Sequence, residues 1–242
     1  MSRHAKNDDS ATHADRAYRL LKHAILHGVL AEGSFLKESE ILVRYSLGRT
    51  PFREACNRLH NEQLLAVVAR RGYFVPELSF RGVRDLLETR IILEGVAAEL
   101  AALRAEPEEI AILDACYQQA LAAALQKKSL DALIESNQRF HLQIARMTHN
   151  RELENLLRGV LERSIRLVRL AATASKQAPK DMERLLKPIV EAIRKGDARA
   201  AQHAVAADIT QGQLNVLGRE IWGEASAGAM MHEVVPKGSN RN

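Results

Sequence analysis

The stretch LGRTPFREA, residues 47–55, sets Gly48 and then Pro51 at what reads as the start of a helix, with Arg49 and Arg53 one helical turn apart. Pro in the first turn costs no intrahelical hydrogen bond, and its fixed φ favours helix entry. Gly48 or Thr50 can serve the cap. A Gly there lacks the side-chain oxygen that Ser would supply, a loss of roughly a few tenths of a kcal/mol. The free amides of such an N-terminus attract anions, and a guanidinium one turn further in is long enough to reach guanine O6 and N7. The competing reading leaves both arginines as solvated surface groups, with Arg53 paired to Glu54 or Asn57.

The flanks decide between these readings. Upstream, ADRAYRLLKHAILHGVL (14–30) carries Ala17, Leu20, Leu21, Ala24 and Ile25 on a helical stripe stopped near Gly28. Residues 38–46 form a second short helix around Ile41, Leu42 and Tyr45. Residues 49–61 form a third, with Phe52, Ala55, Cys56 and Leu59 inward. Downstream, LLAVVARRGYFV (64–75) changes period around Arg70-Arg71-Gly72, as two short strands with a tight tip do. Three helices and a hairpin make a winged helix-turn-helix over residues 11–76. Residues 44–73 hold six Arg against two Glu, net +4, whereas 80–242 hold 23 Lys+Arg against 21 Asp+Glu. The positive excess is local, as a surface for a polyanion requires.

A linker is expected at 77–80, where Pro76 and Ser79 interrupt regular structure. The rest reads as helices over about 80–104, 108–127, 130–148, 151–174, 180–195 and 197–217. Pro107 suits the start of the second of these, Asn150 the end of the third, and Asp197 an N-cap. The predicted fold is mainly α: the winged domain, then an antiparallel bundle of six to seven helices over 81–218, broad enough inside for a ligand. Residues 219–242 lack a sustained period and are expected to form a mobile tail. Aromatic residues at 4% and 13 Gly argue against a strand-rich sandwich. No apolar run of membrane-spanning length and no signal-peptide core occur, so a cytoplasmic protein without membrane association is expected. Cys56 and Cys116 have no nearby partner in sequence and are both expected to be buried thiols.

Residues 15–76 resemble the DNA-binding domain of the GntR family of bacterial repressors. The resemblance is carried by Ile25, Gly28, Leu30, Gly33, Leu36, Glu38, then Arg49-Thr50-Pro51 and Arg53-Glu54-Ala55, Leu59, and Arg71-Gly72 with Val75. The sequence departs at Gly48, where that family commonly has Ser. The resemblance implies a homodimer on a double-stranded operator with an inverted repeat, contacted by Arg49, Arg53 and Gly72, with Ser39 and Arg71 as further contacts. From the helix geometry, Thr50 belongs with the phosphate contacts, Asn57 lies deeper, and the wing tip meets the minor groove or flanking phosphates.

Residues 85–102, DLLETRIILEGVAAELAA, resemble the opening of the FadR-type helical ligand-binding (FCD-like) domain through Arg90, Leu93, Glu94, Ala97, Ala98 and Ala101. That resemblance extends over 80–217 and implies an effector site and dimerisation. Arg90 and Glu94 are either a simple i,i+4 pair or a network from which Arg90 meets an acidic effector. Asn137 and His141 share a helical face, as a metal site needs. Relatives add two His on the last two helices, but here those places fall on Leu186 and Asp208. Leu cannot ligate, Asn is a weak neutral ligand, and His203 points elsewhere around its helix. No metal and no other cofactor is therefore expected. Arg90, Asn137, His141 and Asp208 are the candidate contacts for a small organic effector, a carboxylate being suited to Arg90. The alternative for His141 is an interior histidine bonded to Asn137 or a backbone carbonyl.

The expected function is a ligand-responsive transcriptional repressor. The alternative is a constitutive dimeric DNA-binding protein whose bundle only dimerises. Catalysis is not expected: no nucleophile elbow, Gly-rich phosphate loop or distinctive carboxylate pair occurs.

Overall fold

A computed structural model describes residues 12–126, 129–174 and 178–220. The chain divides into two compact units between Ser79 and Phe80.

The first unit contains α1 (His13–Leu26), α2 (Glu38–Tyr45), α3 (Arg49–Asn61), β1 (Ala66–Val68) and β2 (Gly72–Phe74). Thr12 caps α1 in a reciprocal box: its hydroxyl accepts from the Asp15 amide and the Asp15 carboxylate accepts from the Thr12 amide. Gly48 is the N-cap of α3 and supplies no side-chain acceptor, so Thr50 lies inside the first turn and not at the cap. Phe52, Ala55, Cys56 and Leu59 are fully buried and α3 packs on α1 through Ala17, Leu21, Ala24 and Ile25. This inward stripe at helical spacing fixes which face of α3 remains in solvent.

The hairpin pairs Ala66 with Phe74, Val67 with Tyr73 and Val68 with Gly72. A third segment, residues 34–36 between α1 and α2, zips onto it: Leu36 donates to the Tyr73 carbonyl, Val75 donates to the Ser34 carbonyl, and Phe35 bridges to Phe74. The Phe35 and Phe74 rings pack in a tilted arrangement with centroids 5.0 Å apart. The wing is thereby tied to the α1–α2 connection.

The second unit comprises α4 (Phe80–Arg104), α5 (Pro107–Leu125), α6 (Leu130–Arg146), α7 (Arg151–Ala174), α8 (Ala178–Arg194) and α9 (Ala198–Glu220). Its core joins Leu113, Phe140, Ile144, Met147, Leu157, Leu186, Ile189, Val205 and Ile209 with Ala97, Ala98, Ala101 and Ala120. The small Ala side chains leave room for close helix approach, notably between α4 and α9. Pro107 occupies the first turn of α5, and the Asp197 carboxylate accepts from the Ala200 amide at the start of α9. Asn150 does not end α6. That helix stops at Met147, with His149 in the left-handed region, and the Asn150 side chain caps α7 by accepting from the Glu152 and Leu153 amides. Pro188 sits inside α8 at an exposed position without ending it.

Cys56 is buried and Cys116 only partly so. The expectation of two buried thiols therefore fails for Cys116, whose face of α5 is incompletely covered. Burial pushes the Cys56 thiol up to about 12, helped by the charge of Glu38, so this thiol is inert. The expected tail lies outside the described residues from 221 onward.

Candidate nucleic-acid interface and helical-domain cluster

Arg49, Thr50, Arg53 and Asn57 are all exposed. At the helical pitch they fall within an arc of about 100° that borders the buried stripe of α3. The leading end of α3 thus presents two guanidiniums, a hydroxyl and an amide on one face, beside backbone amides that no side chain caps. Beside the same helix start lies a recess of about 290 Å³ lined by His13, Arg16, Ser46, Leu47, Gly48 and Pro51. The basic groups His13 and Arg16 were not foreseen. Their only signal in the sequence was position in the first turn of α1.

Asn57 does not stand alone, because its Oδ1 accepts from the Tyr73 hydroxyl on β2 at 3.1 Å. Its amide N–H groups remain to donate outward. Arg58 is a structural group: it pairs with Asp15 at 2.7 Å and covers the Tyr18 ring, locking α3 to α1. Ser39 is exposed in the first turn of α2.

At the wing, the Arg71 guanidinium lies 4.1 Å from the Phe35 ring centroid. Arg70 has φ 64° and Gly72 has φ 90°. Nothing lies within 4 Å of where a Cβ on Gly72 would be, so the backbone angle and not crowding requires glycine there. Gly72→Ala is expected to cost about 1–3 kcal/mol, the usual strain of a non-Gly residue in such a conformation. Urea unfolding monitored by circular dichroism measures it, and a change within experimental error would mean the tip relaxes at no cost.

In the second unit, four groups from three helices meet. Arg90 and Glu94 on α4, His141 on α6 and Asp208 on α9 form one cluster, and the first three side chains are almost wholly buried. Arg90 Nε donates to Glu94 Oε1 at 2.6 Å. His141 Nδ1 lies 2.8 Å from Glu94 Oε2, and Nε2 lies 3.3 Å from Asp208 Oδ2. Both distances suit ion pairing, but neither ring nitrogen is aligned for a hydrogen bond, and Glu94 Oε2 likewise lacks an aligned donor.

Burial alone would raise the Glu94 carboxyl. Arg90 and then His141 outweigh it and hold the group at about 2. Burial would also lower His141, but the Glu94 charge and then Asp208 raise it to about 9. Burial opposes the Arg90 charge as well, and Glu94 more than compensates. With His141 protonated the cluster has two cations and two anions and is neutral, which makes burial tolerable.

Glu94 is the partner that sequence reasoning placed only in an i,i+4 pair. The alternative reading of His141 offered a bond to Asn137 or a backbone carbonyl; among the described residues Asn137 is half-buried one turn earlier, and the ring faces carboxylates. Leu186 is completely buried in the core on α8, and His203 is exposed. Among the described residues no group of three His, Cys, Asp or Glu is placed to hold a metal ion. The fixed charge of Arg90 further opposes a divalent cation, so this donor set does not fit one. The gap bounded by Glu94, Ala97, His141, Ile144, Leu157 and Val205 has no room for a water molecule. Through this gap a ligand could reach His141 only by displacing side chains.

The sign of the pH dependence follows. The folded pKa of His141 lies above its ordinary 6.5, so its contribution is complete below about pH 6.5 and is lost as pH rises through about 9. Glu94 is depressed below 4.5, so its contribution is present above about pH 4.5 and is lost as pH falls toward 2. Unfolding free energy is expected to decline between pH 6.5 and 9. His141→Gln should flatten that decline, and an equally steep profile in the variant would assign it to other groups.

A helical head with a wing and an exposed basic face on α3, followed by an all-helical domain, is a winged helix-turn-helix architecture. Residues 13–75 match the bacterial regulatory proteins of the gntR family, and residues 85–211 match the FCD domain. The chain belongs to the GntR family of transcriptional regulators, with an FCD domain of the FadR-like kind. It is 30% identical to the HTH-type transcriptional regulator YdhC of Bacillus subtilis (strain 168), over 78% of this chain and 84% of that one. It is 27% identical to the HTH-type transcriptional repressor RspR of Escherichia coli (strain K12), over 78% and 82% of the two chains. The fold matches that of E. coli McbR/YncC with a TM-score of 0.72 at 22% identity, covering 83% and 94%. These relatives are regulators and not enzymes. No helix among the described residues is long and apolar enough to cross a membrane.

Proposed function

We infer that the protein is a sequence-specific repressor that binds an inverted-repeat operator as a homodimer in the bacterial cytoplasm, with an organic effector in the helical domain setting its operator affinity. The observation that carries the DNA-binding part is the single solvent face of α3 bearing Arg49, Thr50, Arg53 and Asn57 at an uncapped helix start. In the major groove, Arg49, Thr50 and the α3 amides meet phosphates, and Arg53 reads base edges. Ser39, Arg71 and Gly72 complete the backbone contacts. Arg71 stacked on Phe35 keeps the wing tip extended.

One head buries only a modest interface, and two at fixed spacing give operator affinity. An apolar stripe on α4 supports pairing: Ile92, Val96 and Leu103 are exposed at helical spacing. A second copy of this chain covers that stripe. The effector is a small carboxylate that takes over Arg90 from Glu94, with His141, Asp208 and Asn137 around it. Because the gap beside Glu94 and His141 has no room for a water molecule, entry there rearranges the cluster, and such a rearrangement is the two-state element a switch needs.

Selection of binding duplexes from a random library tests the reading. It predicts a palindrome, and a carboxylate that shifts operator affinity 5- to 150-fold when a panel of organic acids is added, the range for couplings of about 1–3 kcal/mol. Enrichment of a palindrome without response to any acid would favour a bundle that only dimerises. No enrichment would contradict both.

A further inference from the structure

An acidic side chain stands in the middle of the surface assigned to DNA. Glu38, the first residue of α2, places Oε1 3.8 Å from Arg49 Nε and Oε2 3.6 Å from Arg53 Nη2. One carboxylate therefore addresses both guanidiniums across the turn, one oxygen to each. Its side chain is 35% exposed, against 80% for Arg49 and 64% for Arg53. The carboxylate thus lies lower than the two cations it joins, and they project beyond it.

Such a group is costly on a surface that meets a polyanion. A carboxylate near phosphates repels them, and at low ionic strength that repulsion extends over about 10 Å or more. Folding does not require the charge there. The separations of 3.6 and 3.8 Å exceed hydrogen-bond length, and exposed ion pairs of this kind contribute little to stability. The neighbouring Glu40 already has a cation of its own in Lys37, at 3.0 Å. Among the described residues, Glu38 pairs with Arg49 and Arg53 and with no other cation.

Placement between those arginines gives the charge a use. When α3 sits in the groove, Arg53 points to base edges and Glu38 stays behind the fork, limiting its rotation. When the head lies loosely on any duplex, both guanidiniums must turn to phosphates. The carboxylate then competes for them and faces the phosphates itself. Its presence penalises the second arrangement more than the first. Discrimination is a difference of affinities, and a repulsive element aimed at the wrong complex raises it as surely as a contact to the right one.

We propose that Glu38 is a specificity-determining residue that suppresses non-specific DNA binding by competing with phosphates for Arg53, and by its own repulsion of them, while orienting Arg53 for base readout. This rests on the assignment of α3 as the reading helix. The test uses the full chain and fluorescence anisotropy on two labelled duplexes, the selected operator and a scrambled duplex of equal length, across a series of salt concentrations. Glu38→Gln keeps the shape and removes the charge. It is expected to tighten binding to the scrambled duplex about 5- to 10-fold and to steepen its salt dependence by about one released counterion. Operator affinity should change less than 3-fold, so the specificity ratio falls. In an Arg49→Ala/Arg53→Ala background the same substitution should no longer change that ratio.

An unchanged specificity ratio in Glu38→Gln, or an equal gain on both duplexes, overturns the proposal. So does a loss confined to the operator, which would make Glu38 a base-reading group. The underlying assignment fails separately: it falls if Arg53→Ala weakens both duplexes equally, whatever Glu38→Gln does. Thermal melts of each variant by circular dichroism check that the fold is intact, and Glu38→Ala provides a second neutral variant should Gln perturb α2.

Discussion

Arg53→Ala is expected to lower affinity for the selected operator roughly 5- to 150-fold, the equivalent of about 1–3 kcal/mol for one bidentate base contact, while binding to a scrambled duplex falls less than 3-fold. The asymmetry comes from geometry. Arg53 is one turn inside α3, on the exposed arc shared with Arg49 and Asn57, and the neighbouring face is sealed by Phe52, Cys56 and Leu59. An exposed side chain there supports no core, so the variant should melt as the parent does. Arg49, at the first helical position, is placed for phosphate. Arg49→Ala should weaken operator and scrambled duplex alike and make the salt dependence shallower by about one counterion. Anisotropy titrations of both variants distinguish the roles, and equal losses for Arg53→Ala would reduce it to a phosphate contact.

Arg90→Ala is expected to cost about 3–5 kcal/mol of unfolding free energy, the usual result of stripping one partner from a buried ion pair. Arg90 Nε is the donor to Glu94 Oε1 at 2.6 Å, and Glu94 Oε2 has no aligned donor to fall back on. Without the guanidinium, two carboxylates face one imidazolium, and Glu94 and His141 are almost wholly buried. The remedy is chemically defined: Glu94→Gln added to Arg90→Met removes the surplus charge and should recover more than half of the loss. Urea denaturation of the single and double variants measures both values. A loss below about 1 kcal/mol for Arg90→Ala would show that the pair is not isolated from solvent. The size of the expected effect matters, because marginal stability is only about 5–15 kcal/mol.

Much of this was legible in the sequence, for local reasons. The ends of α3 follow from Gly48, Pro51 and a strict apolar stripe, and the observed helix Arg49–Asn61 coincides with that reading. The six helices of the second unit announce themselves by periodicity and by caps such as Asp197. Features that depend on partners distant in sequence were not legible. The pairing of Phe35 with Phe74 is a single bridge made by a segment with turn composition. The burial of Arg90 with Glu94, and the turning of His141 toward Glu94 and Asp208 and not toward Asn137, depend on how α4, α6 and α9 pack. Asn150 was ambiguous because the same side chain serves a helix end or the next helix start, and its two accepted amide hydrogens place it with α7. The basic recess of His13 and Arg16 likewise exists only once α1 lies against the start of α3.

The most direct test of the central claim, that the leading end of α3 enters the major groove, is chemical interference on the selected operator. Methylation at guanine N7 places a methyl group in the major groove where Arg53 must approach, so duplexes methylated at guanines within each half-site should be excluded from the bound fraction. Symmetric interference in both half-sites, relieved in Arg53→Ala, is the predicted result. Interference by phosphate ethylation alone, with N7-methylated duplexes bound as readily as unmodified ones, would contradict it.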